Sequence, residues 1–148
     1  MTKPHSTRSR HHFRVRIPND LALVKPLRDL VSSLCRLESF DDEKIQEVAL
    51  VATELINNAI EHAGTPGTTE VCGGSYEDRV ELIVVDQAKD SLEGDAFQFD
   101  GPPDAENERG RGLFLIQAFA DEVRHSTTED GGNRIEVIWW RNGSSEDE

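Results

Sequence analysis

Apolar positions change period several times along the chain, and each change marks an element. From Phe13 to Ile17 apolar and basic residues alternate, with Arg14 and Arg16 between Phe13, Val15 and Ile17, which is the period-two pattern of a half-buried strand. Pro18-Asn19-Asp20 breaks that pattern and offers a helix cap. Leu23, Leu27, Leu30, Val31 and Leu34 then recur at spacings of three and four, predicting an amphipathic helix. Pro26 falls in or near its first turn, where a missing N–H does least harm. Asp41-Asp42-Glu43 supplies acids suited to a second helix N-terminus. Ile45, Val48, Ala52, Leu55, Ala59 and Ala63 follow at helical spacing, and Gly64, Pro66 and Gly67 stop the helix.

Beyond that point the pattern shortens. Two strands are expected over residues 69–72 and 79–85, joined by Gly73-Gly74-Ser75. The nearly continuous run of Val80, Leu82, Ile83, Val84 and Val85 predicts burial on both faces. Residues 87–109 are polar, acidic and rich in Gly and Pro, with Phe97 and Phe99 as isolated anchors; a loop of that length is a candidate functional segment. A third helix is expected over residues 113–120. Residues 122–127 and 134–140 then flank Glu129-Asp130-Gly131-Gly132 as a hairpin. The fold class is α+β, with helices on one face of a mostly antiparallel sheet.

Composition narrows the function classes. The 148 residues are 36% apolar and 30% charged, enough for one domain with a real core. No apolar run approaches the ~20 residues of a membrane span, and no secretory leader pattern opens the chain. Two cysteines, Cys35 and Cys72, suit a reduced, cytoplasmic protein better than a disulfide scaffold. Residues 1–16 hold five of the 16 basic residues and none of the 29 acidic ones, so the remainder carries 11 against 29, a net charge of −18. Such a body repels a phosphate backbone, which argues against direct nucleic-acid binding. Residues 1–12 read as a flexible basic tail, 13–141 as the domain and 142–148 as an acidic tail.

Three features carry candidate chemistry. Glu54, Asn58 and His62 are spaced by four, so they line one edge of the second helix. A carboxylate and an amide oxygen one turn apart can activate a hydroxyl and hold Mg2+, a cation that prefers oxygen ligands; a solvated polar edge has the same spacing. Asp86 directly follows a hydrophobic strand, where an acid accepts a hydrogen bond from a ligand amine or caps a turn. Glu108-Arg109-Gly110-Arg111-Gly112-Leu113 opens the third helix; its glycines either let backbone amides approach phosphate or allow a tight turn.

In this order, across residues 13–140, these features resemble the GHKL-type (histidine-kinase-like) ATPase domain. Within it the chain looks most like the anti-sigma-factor serine/threonine kinases of bacterial partner-switching systems. Glu54-x-x-x-Asn58-Ala-x-x-His62-Ala is similar to that family's N-box, and Glu108-Arg109-Gly110-x-Gly112-Leu113 to its nucleotide-lid region. The resemblance implies a two-layer α/β sandwich of the Bergerat type, binding ATP or ADP with Mg2+. It also implies that Glu54 is the general base for a substrate serine and that Asn58 ligates Mg2+. Asp86 would then accept the adenine amino group. The amides around Gly110, Gly112 and Leu113 would cradle phosphate, and Arg109 or Arg111 would offset its charge. His62 is given no catalytic step.

The implied function is an anti-sigma factor that phosphorylates an antagonist protein and sequesters a sigma factor, commonly as a homodimer. Two departures bear on it. Asp86-Gln87-Ala88-Lys89-Asp90 lacks both glycines of the family's Asp-x-Gly-x-Gly, and Asn133 stands where Thr follows Gly132 in the family. They motivate an alternative: a non-catalytic protein-binding regulator on the same fold, with weakened or lost ATP binding.

Overall fold

A computed structural model of the chain describes residues 8–64, 66–87 and 108–141, with side chains from Phe114 onward in the last segment. Strand β1 (His11–Pro18) leads through a short 3-10 turn (Leu21–Leu23) into helix α1 (Val24–Leu37) and the longer α2 (Asp42–Ala63). Then come β2 (Thr68–Ser75), β3 (Arg79–Asp86), α3 (Glu108–Phe119), β4 (Glu122–Thr127) and β5 (Asn133–Trp140). The strands form one five-stranded sheet in the order β1-β2-β3-β5-β4. Every neighbouring pair in it is antiparallel. The core lies between this sheet and α1 and α2, with Val31, Leu55, Ile56, Val71, Leu82 and Trp139 excluded from solvent.

Local chemistry accounts for the element ends. Asp20 accepts the Ala22 N–H at 2.9 Å, opening the 3-10 turn as the Pro18-Asn19-Asp20 break predicts. Asp41 caps α2 by accepting the Lys44 N–H at 2.7 Å. Gly64 ends α2 at φ 72°, its N–H returned to the Ile60 carbonyl at 2.9 Å. The β4–β5 hairpin closes over Thr128, whose hydroxyl accepts the Gly132 N–H at 2.9 Å.

Several boundaries differ from the sequence expectation, each for a physical reason. Gly73, Gly74 and Ser75 are not a connection but the last residues of β2, paired with both β1 and β3. Gly73 lacks a side chain because the Phe13 ring lies over it; an added Cβ would run into Phe13 Cε2. The turn falls instead at residues 76–78. Strand β3 is not buried on both faces: Val80, Leu82 and Val84 face the core, whereas Glu81, Ile83 and Val85 are only half-buried.

That outer face carries cross-strand and same-strand ion pairs: Arg14–Glu70 at 2.8 Å, Arg79–Glu81 at 2.6 Å and Arg134–Glu136 at 3.5 Å. On α1, Leu30 turns outward and is 39% exposed, while Ser32 and Cys35 take inward places. Helix α3 starts at Glu108, five residues earlier than expected. Phe97 and Phe99 lie outside the described residues. No helix among the described residues is long and apolar enough to cross a membrane.

Candidate functional site

Helix α2 is fixed at both ends, and that fixes the edge bearing Glu54, Asn58 and His62. At its start Lys44 Nζ pairs with Asp121, at the α3–β4 junction, at 3.2 Å. At its end the buried Asn19 bridges two elements: its amide donates to the Gly64 carbonyl at 2.6 Å, and its Oδ1 accepts the Thr69 hydroxyl at 2.7 Å. Between these anchors Leu55, Ile56 and Ala59 press on the sheet. The intervening polar positions therefore stand half-buried along one edge.

Two polar atoms on that edge, Asn58 Nδ2 and His62 Nδ1, are buried without a hydrogen-bond partner among the described residues. A buried polar group left unpaired costs free energy, so a pair of them one turn apart marks a place suited to a polar ligand. One turn further back, burial followed by the nearby Glu61 carboxylate pushes Glu54 above the ordinary carboxylate value. Both effects disfavour its charged form, the condition of a carboxylate poised to take up a proton.

Period two along β3 puts Asp86 on the same inner face as Val80, Leu82 and Val84, at the strand end and 3% exposed. Its Oδ2 lies 3.7 Å from His62 Nδ1, too long for a hydrogen bond and within ion-pair reach. Asn133, at the start of β5, grips the same carboxylate twice: the main-chain N–H donates to Oδ1 at 3.1 Å, and Nδ2 to Oδ2 at 3.4 Å. His125 Nε2 on β4 meets Asn133 Oδ1 at 2.9 Å. Gly132 packs so closely that an added Cβ would collide with the Asp86 carbonyl oxygen.

The structure thus brings Glu54, Asn58 and His62 to one helix edge and sets Asp86 against the last of them. Gly110 and Gly112 lie inside the opening turns of α3, which packs against α2. The side chains of Arg109, Arg111 and Leu113 lie outside the described residues. His125 belongs to no motif in the sequence, and Asn133 enters it only as a departure from the family pattern. The alternation of Val123 and His125 along β4 was the available signal, since it places both on the inner face.

Comparison with known proteins decides the family. The sequence profile described as the histidine kinase-like ATPase domain matches residues 17–139. The chain belongs to this family. Among curated relatives, the serine-protein kinase RsbW of Bacillus velezensis is 28% identical, over 92% of this chain and 89% of that protein. The serine-protein kinase RsbW of Halalkalibacterium halodurans is 32% identical, over 78% of this chain and 75% of its own.

Solved structures agree on the fold. A chain of the SiaB-SiaC complex from Pseudomonas aeruginosa superposes with a TM-score of 0.65 at 16% identity, covering 85% of this chain and 88% of that one. The catalytic domain of the histidine kinase ThkA gives 0.57 at 14% identity, covering 92% and 99%.

Proposed function

We propose that the chain is an ATP-dependent protein serine kinase and anti-sigma factor, which phosphorylates an antagonist protein and sequesters a sigma factor. The observation that carries the reading is the α2 edge, where a proton-poised Glu54 stands one turn from Asn58, whose buried amide nitrogen has no partner among the described residues. Relatives described as serine-protein kinases support the substrate class. A fold shared with a chain of a two-protein complex is compatible with a protein partner.

The residues present fit a magnesium nucleotide. Mg2+ is commonly held by one or two protein oxygens together with substrate phosphates, so Asn58 Oδ1 suffices as the protein's ligand. The ion, held by Asn58, would offset the charge of the phosphates. Glu54 accepts the proton of the substrate serine hydroxyl as that oxygen takes the γ-phosphoryl group and ADP departs. Asp86 accepts the adenine amino hydrogen. The free amides at the start of α3, Gly110 among them, would face phosphate with the favourable end of the helix dipole, while Gly112 and Leu113, one turn further in, would line the approach to it. Arg109 and Arg111 offset the remaining charge. The reading includes a homodimer and, because a sigma factor is the partner, a cytoplasmic setting.

Incubation with the cognate antagonist and labelled ATP tests this. Transfer by the wild type that is lost in Glu54→Ala is expected; no transfer, or equal transfer by the variant, contradicts it.

A second reading is favoured by the Asp86 carboxylate, which already accepts two hydrogen bonds from Asn133. On this reading the chain is a non-catalytic regulator that kept the protein interface and lost ATP use. It predicts sigma-factor or antagonist affinity indifferent to ADP, whereas the kinase reading predicts affinity that changes with nucleotide.

A further inference from the structure

The four side chains at the end of β3 are joined in a definite direction. The carboxylate of Asp86 only accepts, so the atom of Asn133 facing Oδ2 is the amide nitrogen. Asn133 Oδ1 therefore points at His125, and His125 Nε2 carries the proton it donates there. A chain of donors thus runs from β4 through β5 to β3 and ends on the Asp86 carboxylate. Each carboxylate oxygen is held by a different N–H of the same residue. Because the carboxylate is planar, both bonds restrict its rotation about Cβ–Cγ, and the side-chain bond adds a second hold, on the oxygen that faces the helix. Oδ2 then sits between Asn133 on the sheet and His62 on the helix, aimed along the inner face.

We propose that Asn133, held by His125, is a positioning residue that fixes Asp86 as the base-reading acceptor. It thereby sets the discrimination between a purine with an exocyclic amine and one with a carbonyl in its place. An acceptor held in one orientation rewards the amine and repels the carbonyl oxygen, while a carboxyl group free to rotate turns away and discriminates less. Threonine, which the family pattern places at this position, has no amide to span from a carboxylate to a β4 side chain. The Asn133–His125 pair is thus this chain's own device. The inference rests on the nucleotide-binding reading above.

The test is titration of the full chain with Mg2+-ADP and with Mg2+-inosine diphosphate, which differ at that substituent. The wild type is expected to bind ADP about tenfold or more tightly over inosine diphosphate. In Asn133→Ala the ratio falls toward one, chiefly through an ADP affinity weakened about tenfold. His125→Leu lowers the ratio, and His125→Gln, whose amide still donates to Asn133, restores it.

A variant that is only loosened loses both diphosphates alike and keeps the ratio, and that result overturns the proposal. Should Asn133→Ala fail to fold, the two His125 variants carry the same test on a half-buried strand residue. Wild type that binds neither diphosphate overturns the nucleotide reading itself, and the inference with it. Wild type that discriminates, with all variants discriminating equally, overturns the inference alone.

Discussion

Glu54 is held half-buried midway along α2, and the Glu61 carboxylate two turns on adds to the effect of burial. Glu54→Gln is expected to lower phosphoryl transfer by ~10²–10⁴-fold while leaving ADP affinity nearly unchanged, since the lost step is proton transfer; paired transfer and binding assays check this. Because Glu54 must be ionised to accept a proton, activity rises as pH climbs through its elevated pKa. Glu61→Gln removes one of the two causes of that elevation, so the acid limb of the pH–rate profile moves to lower pH.

Stability has the opposite sign. A carboxyl raised in the folded state holds its proton more tightly there than in the unfolded chain, so its favourable contribution is complete below the unfolded pKa and is lost as pH rises through the folded one. Glu54→Gln is therefore expected to unfold at higher urea than the wild type at pH 7, with the gap closing below the ordinary Glu range. Wild type that is the more stable at pH 7 contradicts this.

At the scale of elements, close approach at the site end of the sheet sets the sharpest constraint. Gly132→Ala forces a methyl against the Asp86 carbonyl, a backbone atom that cannot swing aside, and is expected to cost ~1–3 kcal/mol. Gly74→Ala is the control: its nearest heavy atom, Tyr76 Cε1, would lie 3.5 Å away, so urea midpoints should separate the two variants clearly.

Elements whose periodicity and caps agree were legible in the sequence. Helix α2 runs from its Asp41 cap to the Gly64 stop as its spacing predicts, and β4 and β5 form the expected hairpin. Gly73-Gly74-Ser75 signals a turn by composition, while the pressure that selects Gly73 is a ring from β1, sixty residues away in sequence. Strand β3 reads as two-sided in sequence because Ile83 and Val85 are apolar. Across the sheet Val85 stands beside Glu70 and Arg134, and Ile83 beside Cys72 and Glu136, a half-polar setting that only the register reveals.

Across the whole molecule the site joins distant stretches of chain. Residues 54–62 come from one helix and Asp86 from the strand it packs on, while His125 and Asn133 arrive from the final hairpin. The helix edge and Asp86 could be singled out from sequence because spacing by four and a strand-terminal acid are local signals. The Asn133–His125 link could not, since it depends on β5 lying between β3 and β4 in the sheet.

A working magnesium-nucleotide site built on the α2 edge is what the proposed activity requires first. Thermal unfolding with and without Mg2+ plus ADP, in the wild type and in Asn58→Ala, tests it most directly. At ~100 times its dissociation constant a ligand adds about 2.7 kcal/mol, which raises the midpoint by roughly 5–10 °C for a domain of this size. The expected result is such a shift in the wild type, shrinking in the variant. No shift of the wild type at millimolar nucleotide, or an equal shift in both proteins, would contradict it.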